Sequence, residues 1–214
     1  MSLMLEFDLS QRWMRFVPEK VGAGTFRRVL EPRYTEEHRK YHNLKHIASC
    51  LEMFDEHVFK RTLHRPSIEL AIWFHDVVYD PRSKTNEEDS ADVMVEEAKK
   101  NRFSIDTIDR ARRMILATKD HVLMPLMTQE IGWFLDIDLS ILGTKDKVFD
   151  DYERAIREEY SWVSEDAYAK TRIGILKGLL GRDWIFSTNE FQRYYEGYAR
   201  KNIKRSIQSL EKAA

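Results

Sequence analysis

The sequence contains one cysteine, Cys50, among its 214 residues, so it has no intrachain disulfide. A single thiol is typical of proteins that fold in a reducing compartment, and we expect a cytoplasmic location. No apolar run reaches the roughly 20 residues that a membrane-spanning helix needs. The short acidic start does not have the pattern of a signal peptide. We therefore expect a soluble protein with no membrane partner.

The sequence also has no excess of one charge, because 35 Lys and Arg residues are balanced by 36 Asp and Glu residues. A nearly neutral chain has no long-range field that would gather nucleic acid. We expect no nucleic-acid partner. Any anionic substrate must therefore be recognised by a local pocket.

Glycine and proline are scarce, at 8 and 5 residues, and the β-branched runs that are typical of strands are absent. Apolar residues are spaced mostly by three and four, so the sequence predicts an all-α fold. The first two helices should end at Pro18 and at Glu31-Pro32, and 120–125 should be a loop. Helices are predicted at 9–17, 25–30, 42–58, 66–76, 86–101, 105–118, 130–142, 146–160, 165–180 and 190–210.

No linker or repeat divides the sequence, and its length suits one domain with a proper hydrophobic core. We expect a single domain over 1–214, with a motif-bearing core at about 34–143 and the C-terminal helices of 146–210 packed on it; two domains are the alternative. Aromatic residues at helical spacing after Phe191 favour core packing, and a homodimer interface is the alternative.

An adjacent histidine and aspartate, His75-Asp76, lie inside the apolar run 71–79. A buried carboxylate loses its hydration, and bonding to a divalent metal compensates that cost. Adjacent helical residues diverge by about 100°, so both side chains reach one ion only near a helix end or in a distorted turn. The polar loop that begins near Asp80 favours a helix end. The alternative is a core histidine beside a capping aspartate.

Two further polar pairs indicate the same chemistry. His42 and His46, four residues apart, would share one face of a helix, or alternatively lie on a solvated face. Asp136 and Asp138 interrupt an apolar segment, where an unpaired carboxylate is costly. The mixed nitrogen and oxygen set predicts one or two divalent ions (Mn, Fe, Co, Ni, Zn or Mg). Because no thiolate is expected in the set, a structural zinc is not expected.

Four motifs in this order resemble the HD superfamily of metal-dependent phosphohydrolases, which are helical proteins. The likeness is most specific to a bacterial group of HD-domain metal-dependent phosphohydrolases and covers about 34–202. The motifs are Tyr41-His-Asn-x-x-His46, Trp73-Phe-His-Asp-x-Val-Tyr-Asp80, Asn86-Glu-x-x-Ser90 and Asp136-x-Asp-Leu-x-Ile-Leu-Gly143.

The resemblance implies a role for each matching residue. The metal ligands would be His46, His75, Asp76 and Asp138. Asp138 is preferred to Asp136 because Asp138-Leu-Ser is similar to the distal motif of the cyclic nucleotide phosphodiesterases. Those enzymes also share the first motif, which implies that His42 donates a proton to the leaving oxygen. Their remaining histidine and glutamine signatures are missing here, so a cyclic nucleotide substrate is not implied.

Further candidates lie near these motifs. Glu87 would be catalytic by orienting a metal-bound water, or it is an ordinary residue of a helix start. His121 would contact a second metal or the phosphate. Basic side chains suit phosphate oxygens, although a solvated face is the alternative for each. The candidates for substrate contact are Asn43, Asn86, His121, Lys119 and Arg39.

The function implied by the resemblance is hydrolysis of a small-molecule phosphate ester, with nucleotides as the leading substrate class. The metal would lower the pKa of a bound water towards ~7, and His42 would protonate the departing alkoxide. One alternative is a di-iron oxygenase in which His42, Glu87 or His121 adds ligands. Others are a sensor that binds metal or nucleotide without turnover, and a helical scaffold with no site.

Overall fold

The computed structural model of the chain describes residues 3–18, 23–121 and 128–213. The regular elements of these residues are all helices, which confirms the all-α prediction. None of the described helices has both the length and the apolar character needed to cross a membrane. Residue contacts divide the chain into two units, Met1–Phe134 and Leu135–Ala214. The single-domain arrangement, with the last helices packed on the motif core, stays a prediction.

The first unit contains most of the helices. They are α1 (Leu3–Phe16), α2 (Ala23–Thr25), α3 (Glu31–Tyr34), α4 (Leu44–Met53), α5 (Arg65–Phe74), α6 (Asn86–Lys100), α7 (Ile105–Ala117) and the first part of α8 (Gln129–Leu139). Two π-helical segments, Phe26–Leu30 and Phe54–Val58, follow α2 and α4. The second unit contains the end of α8, a 3-10 turn at Ser140–Gly143, α9 (Asp146–Glu159), α10 (Glu165–Leu180) and α11 (Asn189–Ala213).

The core of the first unit is built around α5, which packs against α4, α6 and α7. Pro66 lies in the first turn of α5, where its missing N–H costs no hydrogen bond. Every residue from Ser67 to Phe74 is buried, so the helix meets protein on all sides. The Trp73 ring contacts the rings of Trp13 and Phe26, at centroid distances of 5.5 and 6.2 Å. The C-terminal end of α5 is therefore held inside the unit.

Most predicted helix boundaries lie within a few residues of the observed ones, and the helix predicted at 165–180 coincides with α10. The prediction that Glu31-Pro32 ends a helix is wrong. The Glu31 N–H bonds to the Phe26 carbonyl in a π-helical register, and the chain continues helically to Tyr34. Pro32 lies in the first turn after this change of register, where its missing N–H is tolerated. Of the predicted loop 120–125, residues 122–125 lie outside the described residues.

Two buried carboxylates hold the loop before α11 within the second unit. Asp136 accepts hydrogen bonds from the Ser187 N–H at 2.6 Å, the Thr188 N–H at 2.8 Å and the Thr188 hydroxyl at 2.6 Å. Glu196 accepts from the Ile185 and Phe186 N–H groups. Asp136 therefore has a structural role at the start of a helix, where a negative charge is favourable.

The burial of Asp136 predicts how its own contribution to the stability of the protein depends on pH. Burial raises the pKa of Asp136 from 3.8 to about 6, although its hydrogen bonds oppose that change. The folded state holds the proton more tightly than the unfolded state. The contribution of Asp136 to the free energy of unfolding is therefore largest below pH ~4, and it falls by about 3 kcal/mol as pH rises through ~6.

We expect the Asp136→Asn variant to lose this step, although it is less stable overall because its amide N–H₂ faces other donors. Urea unfolding between pH 4 and 7 measures the difference between variant and wild type. If the stability of Asp136→Asn changes with pH as much as that of wild type, the step does not come from Asp136.

Candidate metal centre

The first part of the site is positioned by the start of α4. Asn43 has an extended backbone, and its side-chain oxygen accepts the Lys45 N–H at 2.9 Å, so it caps the helix. His46 is thereby placed in the first turn of α4 on its buried side. His42 precedes the cap and lies in a turn. The prediction that His42 and His46 share one helical face is therefore wrong, because the extended residue between them ends the helical register.

The second part of the site lies where α5 ends. Phe74 is the last helical residue, and His75 and Asp76 occupy the turn that follows. This confirms that the pair lies at a helix end. His75 Nδ1 is 3.0 Å from the Ile72 carbonyl oxygen, which can only accept, so Nδ1 carries the hydrogen. The other ring nitrogen, Nε2, then presents its lone pair as a metal ligand does.

Three ligand atoms converge at this point within the first unit. His46 Nε2 is 3.0 Å from His75 Nε2, and Asp76 Oδ2 is 3.1 Å from His75 Nε2 and 3.6 Å from His46 Nε2. Ligands held at about 2.1 Å from one ion, at angles between octahedral and tetrahedral, lie roughly 3.0–3.4 Å apart. The three atoms therefore have close to the spacing of ligands that share an ion. We call His46, His75 and Asp76 the metal triad.

Burial and charge suit the metal triad to a cation. The two histidine side chains are almost fully buried, whereas the Asp76 side chain is 20% exposed, so solvent reaches this corner. Burial by itself raises the pKa of Asp76, but its interactions with the imidazoles of His75, His42 and His46 outweigh that effect. The pKa of Asp76 is therefore held below its usual range. Asp76 is a carboxylate at neutral pH, which is the form that binds metal.

Asp138 lies in the part of α8 that belongs to the second unit, and it is half-buried. Its place among the ligands stays a prediction. The choice between the two aspartates is clearer, because both carboxylate oxygens of Asp136 bind the loop before α11. Asp136 is thus occupied as a structural residue.

His42 lies beside the metal triad but is not part of it. Its ring stacks on the Tyr79 ring at a centroid distance of 4.2 Å and contacts the Tyr41 ring at 5.0 Å. The His42 ring centroid is 6.1 Å from that of His46. This half-buried ring is therefore held close to the ligand atoms by its aromatic neighbours.

Cys50 belongs to this region and was missed from the sequence. It follows His46 by one turn of α4, is buried, and places its Sγ 3.7 Å from His46 Nδ1. The expectation that no thiol accompanies the ligands is therefore wrong. The four-residue spacing from His46 was the signal that would have found it. A thiol favours softer ions such as zinc or iron over magnesium only where its sulfur coordinates the ion, and Cys50 lies outside the metal triad.

Several predicted substrate contacts have structural partners in the protein. The Asn86 side chain exchanges hydrogen bonds with the backbone of Asp80, at 3.0 and 2.9 Å. Lys119 donates to the Lys84 carbonyl at 3.0 Å and pairs with Glu88. The Asn43 amide N–H₂ donates to the Lys40 carbonyl at 2.8 Å while its oxygen caps α4. These contacts give each of the three side chains a role in local structure.

Glu87 and His121 lie on other elements of the first unit than His46, His75 and Asp76. Glu87 is half-buried in the first turn of α6, and His121 follows α7 with a positive φ of 46°. Among residues 3–18, 23–121 and 128–213, neither places a ligand atom in the group formed by the metal triad. Their predicted roles in catalysis and substrate contact stay predictions.

The chain was compared with protein-family models, curated proteins and solved structures, and none of them matches it. The HD resemblance therefore rests on the four motifs, and membership of that family stays a prediction.

The geometry of the metal triad leads to a test of metal binding. His75→Ala removes the ligand atom that lies nearest to both of the others, so we expect dialysed protein to lose its bound ion. A matched control is His57→Ala, because His57 lies beside exposed Glu56 in the π-helical segment Phe54–Val58. Metal content by mass spectrometry and titration with Co²⁺ measure the difference. Equal metal content in His75→Ala and wild type would exclude the centre.

Proposed function

We propose that the protein is a metal-dependent phosphohydrolase that cleaves a small-molecule phosphate ester, with nucleotides as the leading substrate class. The observation that carries the proposal is the convergence of His46 Nε2, His75 Nε2 and Asp76 Oδ2 within 3.0–3.6 Å of one another. The motif resemblance supports the reaction class, since HD proteins hydrolyse phosphate esters.

The protein residues hold a cation while leaving part of its surface open. The two imidazoles approach from the buried side, and the hydrogen bond from His75 to Ile72 fixes the ring that presents Nε2. Asp76 supplies the charge at the partly exposed corner, and Asp138 is proposed as the fourth ligand. A divalent ion held here supplies Lewis acidity, which activates water at neutral pH and polarises a phosphoryl oxygen.

His42 is proposed as the proton donor to the leaving oxygen. Its ring is fixed by Tyr79 and Tyr41 and remains half-buried, so it has both a defined place and access to a substrate. The Asp76 carboxylate attracts a positively charged His42. An imidazolium beside the ligands, and outside them, suits general acid catalysis.

A screen for phosphate release tests the proposed reaction. We expect wild-type protein with added Mn²⁺, Co²⁺ or Ni²⁺ to release phosphate from some member of a nucleotide panel. His75→Ala and Asp76→Asn should lose at least about 100-fold in rate together with their metal, whereas His57→Ala should not. Metal binding without turnover would favour the sensor alternative, and bound iron with substrate oxidation would favour the oxygenase. Full turnover in His75→Ala would contradict the proposal.

The role of His42 is tested with two leaving groups. We expect His42→Asn to keep its metal and to lose about 10²–10⁴-fold in kcat on an alkyl phosphate ester. On a p-nitrophenyl ester the loss should be much smaller, because that leaving group departs without a proton. An equal loss on both esters would argue against proton donation, and a loss of metal would place His42 among the ligands.

A further inference from the structure

Arg39 is a buried arginine that binds the backbone of both metal-centre segments. It lies in the loop between α3 and α4, and its side chain is 1% exposed. Its Nη1 donates to the Asp76 carbonyl at 2.5 Å and to the His42 carbonyl at 3.2 Å. Its Nη2 donates to the Val77 carbonyl at 3.2 Å. One guanidinium thus joins the turn after α5 to the segment before α4.

The guanidinium is held in place by its other neighbours. Its Nε donates to Glu36 Oε2 at 2.8 Å. Its carbon lies 5.3 Å from the Tyr34 ring centroid and 5.5 Å from that of Tyr79, both within the range of a cation–π interaction. The Tyr34 hydroxyl donates to the Trp73 carbonyl near the end of α5, and the Tyr79 ring stacks on His42. The neighbours of Arg39 therefore also contact both segments.

Burying a guanidinium is costly, so its contacts must compensate for lost hydration. Backbone carbonyl oxygens need hydrogen-bond donors when water is excluded. Val77 is fully buried and Asp76 is half-buried, so Arg39 supplies donors that solvent does not supply fully here. A lysine ammonium does not reproduce this planar set of donors.

We infer that Arg39 is a positioning residue of the metal centre, fixing the Asp76 ligand relative to His42 through their two carbonyl groups. Arg39 was predicted from the sequence to contact substrate, but its guanidinium donates to carbonyl oxygens of the protein itself. The part of this inference that concerns proton donation rests on the proposed function. The positioning of Asp76 does not, because it is a property of the metal-free chain.

Arg39→Lys and Arg39→Gln test the inference, with Arg12→Met as the matched control. Arg12 is also a part-buried arginine, but it joins α1 to Glu69 and Asp55, which lie outside the metal triad. Its loss leaves Glu69 buried without its ion pair, which lowers the stability of the same unit. The control therefore separates general destabilisation from misplacement of the site.

The first measurement uses metal-free protein. We expect hydrogen exchange at 40–46 and 75–79, relative to exchange in the rest of the first unit, to be faster in both Arg39 variants than in wild type. In Arg12→Met, faster exchange should not be confined to these two segments. The second is titration with Co²⁺, for which we expect a Kd raised about 10–100-fold in the Arg39 variants, no rescue by lysine, and no change in Arg12→Met.

Two results would overturn the inference. One is that Arg39→Lys has the same exchange rates and the same Kd for Co²⁺ as wild type. The other is that Arg12→Met changes the exchange rates and the Kd as much as the Arg39 variants do. If Arg39→Gln does not fold, the comparison with wild type is made with Arg39→Lys, because lysine keeps the charge and the apolar stem. Failure of the proposed function is separate. In that case wild-type protein would release no phosphate, but the Arg39 variants would still differ from Arg12→Met in hydrogen exchange.

Discussion

The site depends on a helix that ends inside the protein. Because α5 is buried from Ser67 to Phe74, its C-terminal turn has little access to water. The polar groups of that turn must therefore be satisfied by other protein groups or by a ligand. Arg39 binds the Asp76 and Val77 carbonyls, and the side chains of His75 and Asp76 face His46. One burial constraint thus accounts for both the buried arginine and the cluster of ligand atoms.

The features that could be predicted from the sequence are those that depend on local residue patterns. Helical spacing gave the all-α fold, and an adjacent histidine and aspartate in an apolar run required a helix end, which is found at Phe74. The same reasoning misplaced His42, because a spacing of four indicates a shared face only if the residues between are helical. Asn43 is extended, and its preference for N-cap positions was a local signal against that interpretation.

The remaining features depend on contacts between distant residues, which composition and spacing do not encode. The role of Asp136 is set by Thr188, 52 residues later, and that of Arg39 by the Asp76 carbonyl, 37 residues later. Both side chains resembled functional groups in the sequence, as a ligand and a phosphate clamp. Most of their partners are backbone N–H and C=O groups, which nearly every residue carries and which therefore leave no signature in the sequence.

The placement of the basic residues bears on how a phosphate ester would be attracted. The chain has a formal net charge of −1, so no overall field draws an anion to it. The Arg39 guanidinium donates hydrogen bonds to backbone carbonyls of the site, and Lys119 pairs with Glu88. Two neutral imidazoles and one carboxylate would leave a divalent cation with a net charge of +1, and Asp138 as the fourth ligand would reduce it to zero. A phosphate oxygen would therefore be attracted by direct contact with the cation, at short range where screening by salt is weak.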